Sequence, residues 1–127
     1  MSRRTIRRPV TVAAAAFTLV AAGGFVGPSP ASAHWACGRK PPPDRDSTGG
    51  HYTRGVTEVM RSGSSTDCGG TGWTDADSPL DYHCYALNIH GYETWTYVVN
   101  TAGVGGWIRD DRLNDGGSRV WCPNQTV

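Results

Sequence analysis

The sequence predicts a small all-β barrel, stapled by two disulfides, and three observations carry that prediction. After position 33 the apolar residues fall in short runs of period two, not in the 3.6-residue period of a helix. Glycine-rich turns separate these runs at close spacing, as in small sandwiches and barrels. All four cysteines, Cys37, Cys68, Cys84 and Cys122, lie in the same region, and an even count in a small exported domain argues for two bridges.

Residues 1–33 read as a secretory signal peptide. Arg3, Arg4, Arg7 and Arg8 precede an apolar stretch from Val10 to Val26, and Ala31-Ser32-Ala33 supplies the small residues of a cleavage site. Ser2-Arg3-Arg4 also resembles a twin-arginine signal, so the export route stays open. Cleavage after Ala33 leaves 94 residues, one domain, with eight basic and eleven acidic residues and a net charge of −3. The whole-chain value of +1 therefore misleads. A mildly acidic domain has no footprint for nucleic acid or anionic lipid, and no membrane association is expected after cleavage.

The elements follow in order. Residues 34–50, "HWACGRKPPPDRDSTGG", read as a proline-rich tether in which three consecutive prolines favour an extended spacer, with only Trp35 and Cys37 anchored. The domain proper is expected over 51–117, with 118–127 as a closing strand and tail. Val56–Met60 is the first strand candidate, and "RSGSSTDCGGTG" at 61–72 reads as loop because it has four glycines and many hydroxyls. "LDYHCYALNI" alternates, with Leu80, Tyr82, Cys84 and Ala86 on one side. His90-Gly91 turns the chain into "TWTYVVN", where Trp95, Tyr97 and Val99 share a face. "TAGVGG" turns again, Gly106-Trp107-Ile108 begins a return strand, "NDGG" makes a last turn, and "SRVWC" closes the fold. Four cysteines allow three pairings. Cys68–Cys84 with Cys37–Cys122 is the favoured one, a local staple plus a tie between the ends.

Val59-Met60-Arg61-Ser62-Gly63-Ser64-Ser65 resembles the signature that opens bacterial SH3 (SH3b) domains. Trp95-Thr96-Tyr97-Val98 is similar to that family's W-x-x-V strand, and Gly106-Trp107-Ile108 with Leu113 to its closing G-W-V element. The three lie in the expected order over about residues 54–114, as in the small secreted SH3-domain proteins of Streptomyces. Ser64 stands where the family usually has proline, and Arg112 where it usually has tyrosine. The resemblance implies an SH3-like barrel with an aromatic groove and, in many members, affinity for bacterial cell-wall peptides.

The expected function is therefore non-catalytic binding, by a monomer, of a cell-wall peptide or an extracellular protein. Trp95, Tyr97, Trp107 and Tyr82 are the candidate ligand-binding residues, with rigid rings giving contact area at low entropy cost. Asp67, Asp110 and Asp111 are candidates for an acidic rim that suits amines. Arg61 is expected to brace its loop. An inhibitor or effector of an exported protein is the alternative. A small hydrolase is a weaker one, because neither G-x-S-x-G nor H-E-x-x-H occurs. Asp81-x-His83 is the one pair with the look of an oriented base, and a surface ion pair is the commoner cause of that spacing. The histidines share no ligand spacing and no C-x-x-C pair exists, so neither a metal nor a cofactor is expected.

Overall fold

A computed structural model describes residues 34–123. The expected signal peptide, 1–33, and the tail from Asn124 onward lie outside these residues.

The described chain is all-β. Five strands form one antiparallel sheet of barrel type: β1 (Glu58–Arg61), β2 (Gly70–Thr74), β3 (Asp81–Leu87), β4 (Thr94–Val99) and β5 (Gly105–Arg109), in the order β2-β1-β5-β4-β3. A single 3-10 turn, Asp110–Arg112, follows β5. The alternating pattern places β3 and β4 as expected, paired from Asp81↔Val99 to Leu87↔Thr94. β2 falls inside the stretch expected as loop. Its glycines carry no side-chain alternation to read, yet Gly72 packs so close to Val104 and Met60 that any larger residue would collide. Backbone pairing with β1, Val59↔Trp73 and Met60↔Gly72, makes it a strand.

Both faces of the sheet are buried. On one, Met60, Leu80, Tyr82, Val98, Ile108 and Leu113 form the barrel interior. On the other, Trp95, Tyr97 and Trp107 join Cys84 and Ala86 in a second cluster, which Trp35 and Cys122 complete from outside the sheet. Alternation along β4 and β5 divides the two sets, and a register shift between Tyr82 and Cys84 moves β3 from one to the other.

The second cluster anchors Trp35 as expected, and Cys37 is held by its disulfide, but the proline stretch between them and the domain is packed too. Trp35 is buried against Trp107, with ring centroids 5.5 Å apart, and the Arg39 guanidinium lies 3.8 Å above the Trp35 ring. Pro42 and Asp46 are buried as well. Residues 34–46 are thus a strap over the outer face of the sheet. Ser64, the departure from the family's proline, is one reason. Its N–H donates to the Trp35 carbonyl (3.0 Å), and its hydroxyl accepts from the Trp35 N–H (2.8 Å) and donates to the Leu87 carbonyl (2.7 Å). Proline would supply none of these three bonds. Gly63 permits the approach, since a Cβ there would meet the Trp35 carbonyl, the Cys37 amide and the Cys68 sulfur.

Two disulfides are present, Cys37–Cys68 and Cys84–Cys122, which corrects the favoured pairing. The strap brings Cys37 to the 62–69 loop. The C-terminal segment runs beside β3, with Tyr85 N–H to Val120 O at 2.7 Å and Cys122 N–H to Tyr85 O at 3.0 Å, which sets Cys122 against Cys84. Sequence distance suggested a hairpin staple, but the docked ends decide the partners.

Candidate ligand groove

The four aromatics expected to bind ligand are core residues. Tyr82 lies in the barrel interior, stacked 3.7 Å from the His51 ring. Trp95, Tyr97 and Trp107 do occupy the outer face that the family pattern implies, but the strap and the Cys84–Cys122 bridge cover it. Trp95 retains 3% of its surface, and Trp107 retains 1%. The exposed rings are others. Tyr92 (74%) sits in the turn after β3, Trp73 (66%) on the edge strand β2, and Trp121 (36%) on the C-terminal segment. Tyr92 follows the turn signal His90-Gly91, where solvent is the default for a side chain, and that was the one cue the sequence held.

A groove runs beside Trp95, from the β1 and β5 side at Glu58, Arg61 and Arg112 to the gap between the 62–69 loop and the 88–93 turn. It consists of two clefts of about 140 and 180 Å³ that share Thr66, Trp95 and Arg109. Glu58, Arg61 and Arg112 line the first, while Asn88, Tyr92 and Glu93 contribute to the second. The turn is built by Asn88, whose carboxamide oxygen accepts from the backbone N–H groups of Tyr92 and Glu93, each at 3.2 Å. Arg61 braces the facing loop by donating to the Cys68 carbonyl (2.9 Å).

Three guanidinium groups, Arg61, Arg109 and Arg112, line the first cleft with Glu58, and Arg109 is also paired with Asp111 at 2.6 Å and Glu93 at 3.9 Å. Arg112 takes the tyrosine's place in the family pattern and reaches Glu58 at 3.6 Å while half its side chain stays in solvent. Of the three residues expected to form an acidic rim, Asp67 lines the second cleft together with Glu93, while Asp110 and Asp111 line neither cleft. Asp111 is occupied by the Arg109 guanidinium at 2.6 Å, which holds its carboxyl below the ordinary range and raises the arginine. Asp110 is buried and accepts from the Thr96 hydroxyl at 2.6 Å. Burial pushes its carboxyl up to about 6, against the hydrogen bonds of Thr94 and Thr96 and with added repulsion from Asp111 and Asp115.

A second polar assembly escaped the sequence reading, because its members come from three separate segments. His51 Nδ1 lies 2.5 Å from Asp115 Oδ2, and Nε2 lies 2.8 Å from the Thr48 hydroxyl. Thr48 in turn bonds Asp46, whose other oxygen accepts from Ser118 at 2.6 Å. Tyr82 donates its phenol to Asp115 at 2.7 Å. The connectivity Asp115–His51–Thr48 is that of a relay for nucleophilic catalysis, but the proton inventory opposes it. Thr48 has one hydroxyl proton, and the Asp46 carboxylate can only accept it. The Thr48 hydroxyl is thus shared between the Asp46 carboxylate and the His51 ring. The assembly is a latch that holds the strap and residue 51 to the 115–118 turn.

The latch and Asp110 respond to pH in opposite directions. Desolvation would raise Asp46 and Asp115, but hydrogen bonds from Ser118 and Thr48, and from Tyr82 and His51, outweigh it and hold both carboxyls low. Their contribution is present above the unfolded carboxylate range and is lost as pH falls through the depressed folded values. Asp110 is raised, so its ionisation weakens the fold as pH rises from about 4 to about 6. We expect wild-type stability to decline over that window by an amount of order 2 kcal/mol. Asp110→Asn should flatten the decline in urea titrations at stepped pH, and an unchanged slope would contradict the assignment.

No family model, curated protein or solved structure matches this chain.

Proposed function

We propose that the protein is an extracellular, non-catalytic binding module of SH3b type that attaches to cell-wall peptide through the groove beside Trp95. The observation that carries this reading is the groove itself, open beside two braced loops, with guanidinium groups along its wall and the exposed Tyr92 ring at its end. Peptides of the bacterial wall carry free carboxylates, and guanidinium groups recognise carboxylates through paired hydrogen bonds. The two disulfides fit an oxidising compartment, in keeping with an exported chain. The tie of the Thr48 hydroxyl to the Asp46 carboxylate favours a structural role for the His51 cluster over a catalytic one.

Co-sedimentation with purified wall sacculi tests the proposal. The informative variants are Arg112→Glu and Tyr92→Ala, because both side chains are exposed and neither belongs to the core. Wild type should pellet with sacculi and each variant should be retained several-fold less. Equal retention of all three, or none, would reject the groove. Capture of one stoichiometric protein from culture supernatant, without wall binding, would favour the inhibitor reading instead.

A further inference from the structure

The geometry points to a divalent transition-metal site, zinc in the first instance, formed by Asp44 of the strap with Asp81 and His83 of β3. One ligating atom from each of the three side chains lies within 4.8 Å of the other two. Asp81 and His83 flank the register shift in β3, and their side chains meet with Nε2 3.3 Å from Oδ2. The strap is bound to β3 at this point by the Arg45 N–H donating to the His83 carbonyl at 3.0 Å, which sets Asp44 over the pair.

The orientation of the imidazole is an independent reason. His83 Nδ1 lies 3.1 Å from the Pro42 carbonyl. A carbonyl only accepts, so Nδ1 carries a proton and, in the neutral ring, the lone pair is on Nε2. That nitrogen faces Asp81 Oδ2 at 3.3 Å, a contact that either a ring proton or a metal ion bridges. A ring proton serves Asp81 alone, whereas a divalent ion joins Asp44 to the pair.

The donor set also selects the ion. One imidazole nitrogen and two carboxylate oxygens suit zinc and its neighbours rather than calcium or magnesium, which prefer all-oxygen shells. The 3.3 Å separation of Nε2 and Oδ2 is close to the edge of a tetrahedron with metal–ligand bonds of about 2.0–2.1 Å. A backbone carbonyl on Nδ1 is the usual outer-shell partner of a ligating histidine. The Asp44 carboxylate is itself steadied by the Asp46 N–H at 3.3 Å. Asp44 and Asp81 are exposed, so the ion has an entry path and a position left for water or a ligand atom. Bound there, it would clamp the strap to β3.

Isothermal titration of the oxidised, tag-free chain with zinc at pH 7.5 tests the site. We expect one strong site per chain, weakened by about tenfold or more in His83→Ala and in Asp44→Asn. Imidazole nitrogen spectra should show Nε2 of His83 moving on addition of zinc while Nδ1 keeps its proton. Asp44→Asn changes an exposed side chain and preserves its shape, so its loss of affinity cannot come from misfolding. Absence of zinc binding, binding unchanged in both variants, or a response to calcium alone would overturn the assignment.

Discussion

Trp107→Ala is expected to destabilise the domain by about 3–5 kcal/mol, the usual cost of deleting a fully buried large aromatic. Its indole is enclosed by Trp35 at 5.5 Å and Tyr97 at 5.5 Å, in tilted and edge contacts. For a domain whose whole margin is about 5–15 kcal/mol, the loss brings unfolding close to ambient conditions. A groove residue would behave differently, losing ligand but keeping its melting temperature. Tyr92→Ala is the contrast, because its ring is largely in solvent and its removal should move stability by less than about 0.5 kcal/mol. Thermal melts of the two variants side by side decide between core and groove. Similar melting points would refute the burial of Trp107 beneath the strap.

The outcome bears on how far a sequence can be read. Period-two runs located β3 and β4 because each strand buries alternate side chains and the pattern records that burial. The β4 run put Trp95, Tyr97 and Val99 on one face, and there they lie, with Trp107 of β5 beside them. What alternation does not encode is the cover. Whether a face is wet or dry depends on Trp35, which lies sixty residues from Trp95 and returns through Ser64 and Gly63. Those two small residues look like loop filler in a linear reading. The proline run gave the same false lead, since an extended strap and a free spacer share one composition. Arg61 was legible because its brace to Cys68 is local. The Asp81–His83 pair was legible from its spacing and lies at 3.3 Å, whereas the His51 latch and the approach of Asp44 were not, because chain return assembles both.

The strap gives a physical reason for serine at position 64, where the SH3b signature that the sequence resembles has proline. Proline at position 64 would leave the Trp35 carbonyl without its donor, and serine there anchors the strap instead. With the outer aromatic face sealed, the open flank beside Trp95 is lined by Arg61, Arg109 and Arg112. The buried rings Trp95, Tyr97 and Trp107 therefore contribute to stability, and the proposed recognition rests on the guanidinium groups. The acidic strap residues Asp44 and Asp46 are drawn to β3 and to the latch, away from that flank.

Removing the Cys84–Cys122 bridge as Cys84→Ala with Cys122→Ala is expected to cost about 4 kcal/mol from chain entropy, given a separation of 38 residues. Both sulfurs are fully buried in the Trp35–Trp107 cluster, so a packing loss adds to that figure. The double variant should therefore be damaged at least as severely as Trp107→Ala, with its denaturant midpoint lowered well beyond that of Tyr92→Ala. The same protein also tests the connectivity. With Cys37 joined to Cys68, the variant has no free thiol, and alkylation under denaturing conditions adds no mass. In either other pairing Cys37 and Cys68 lose their partners and two alkylations appear. A loss of stability without free thiols ties the C-terminal segment to β3 through this bridge, and two modified cysteines would break that tie.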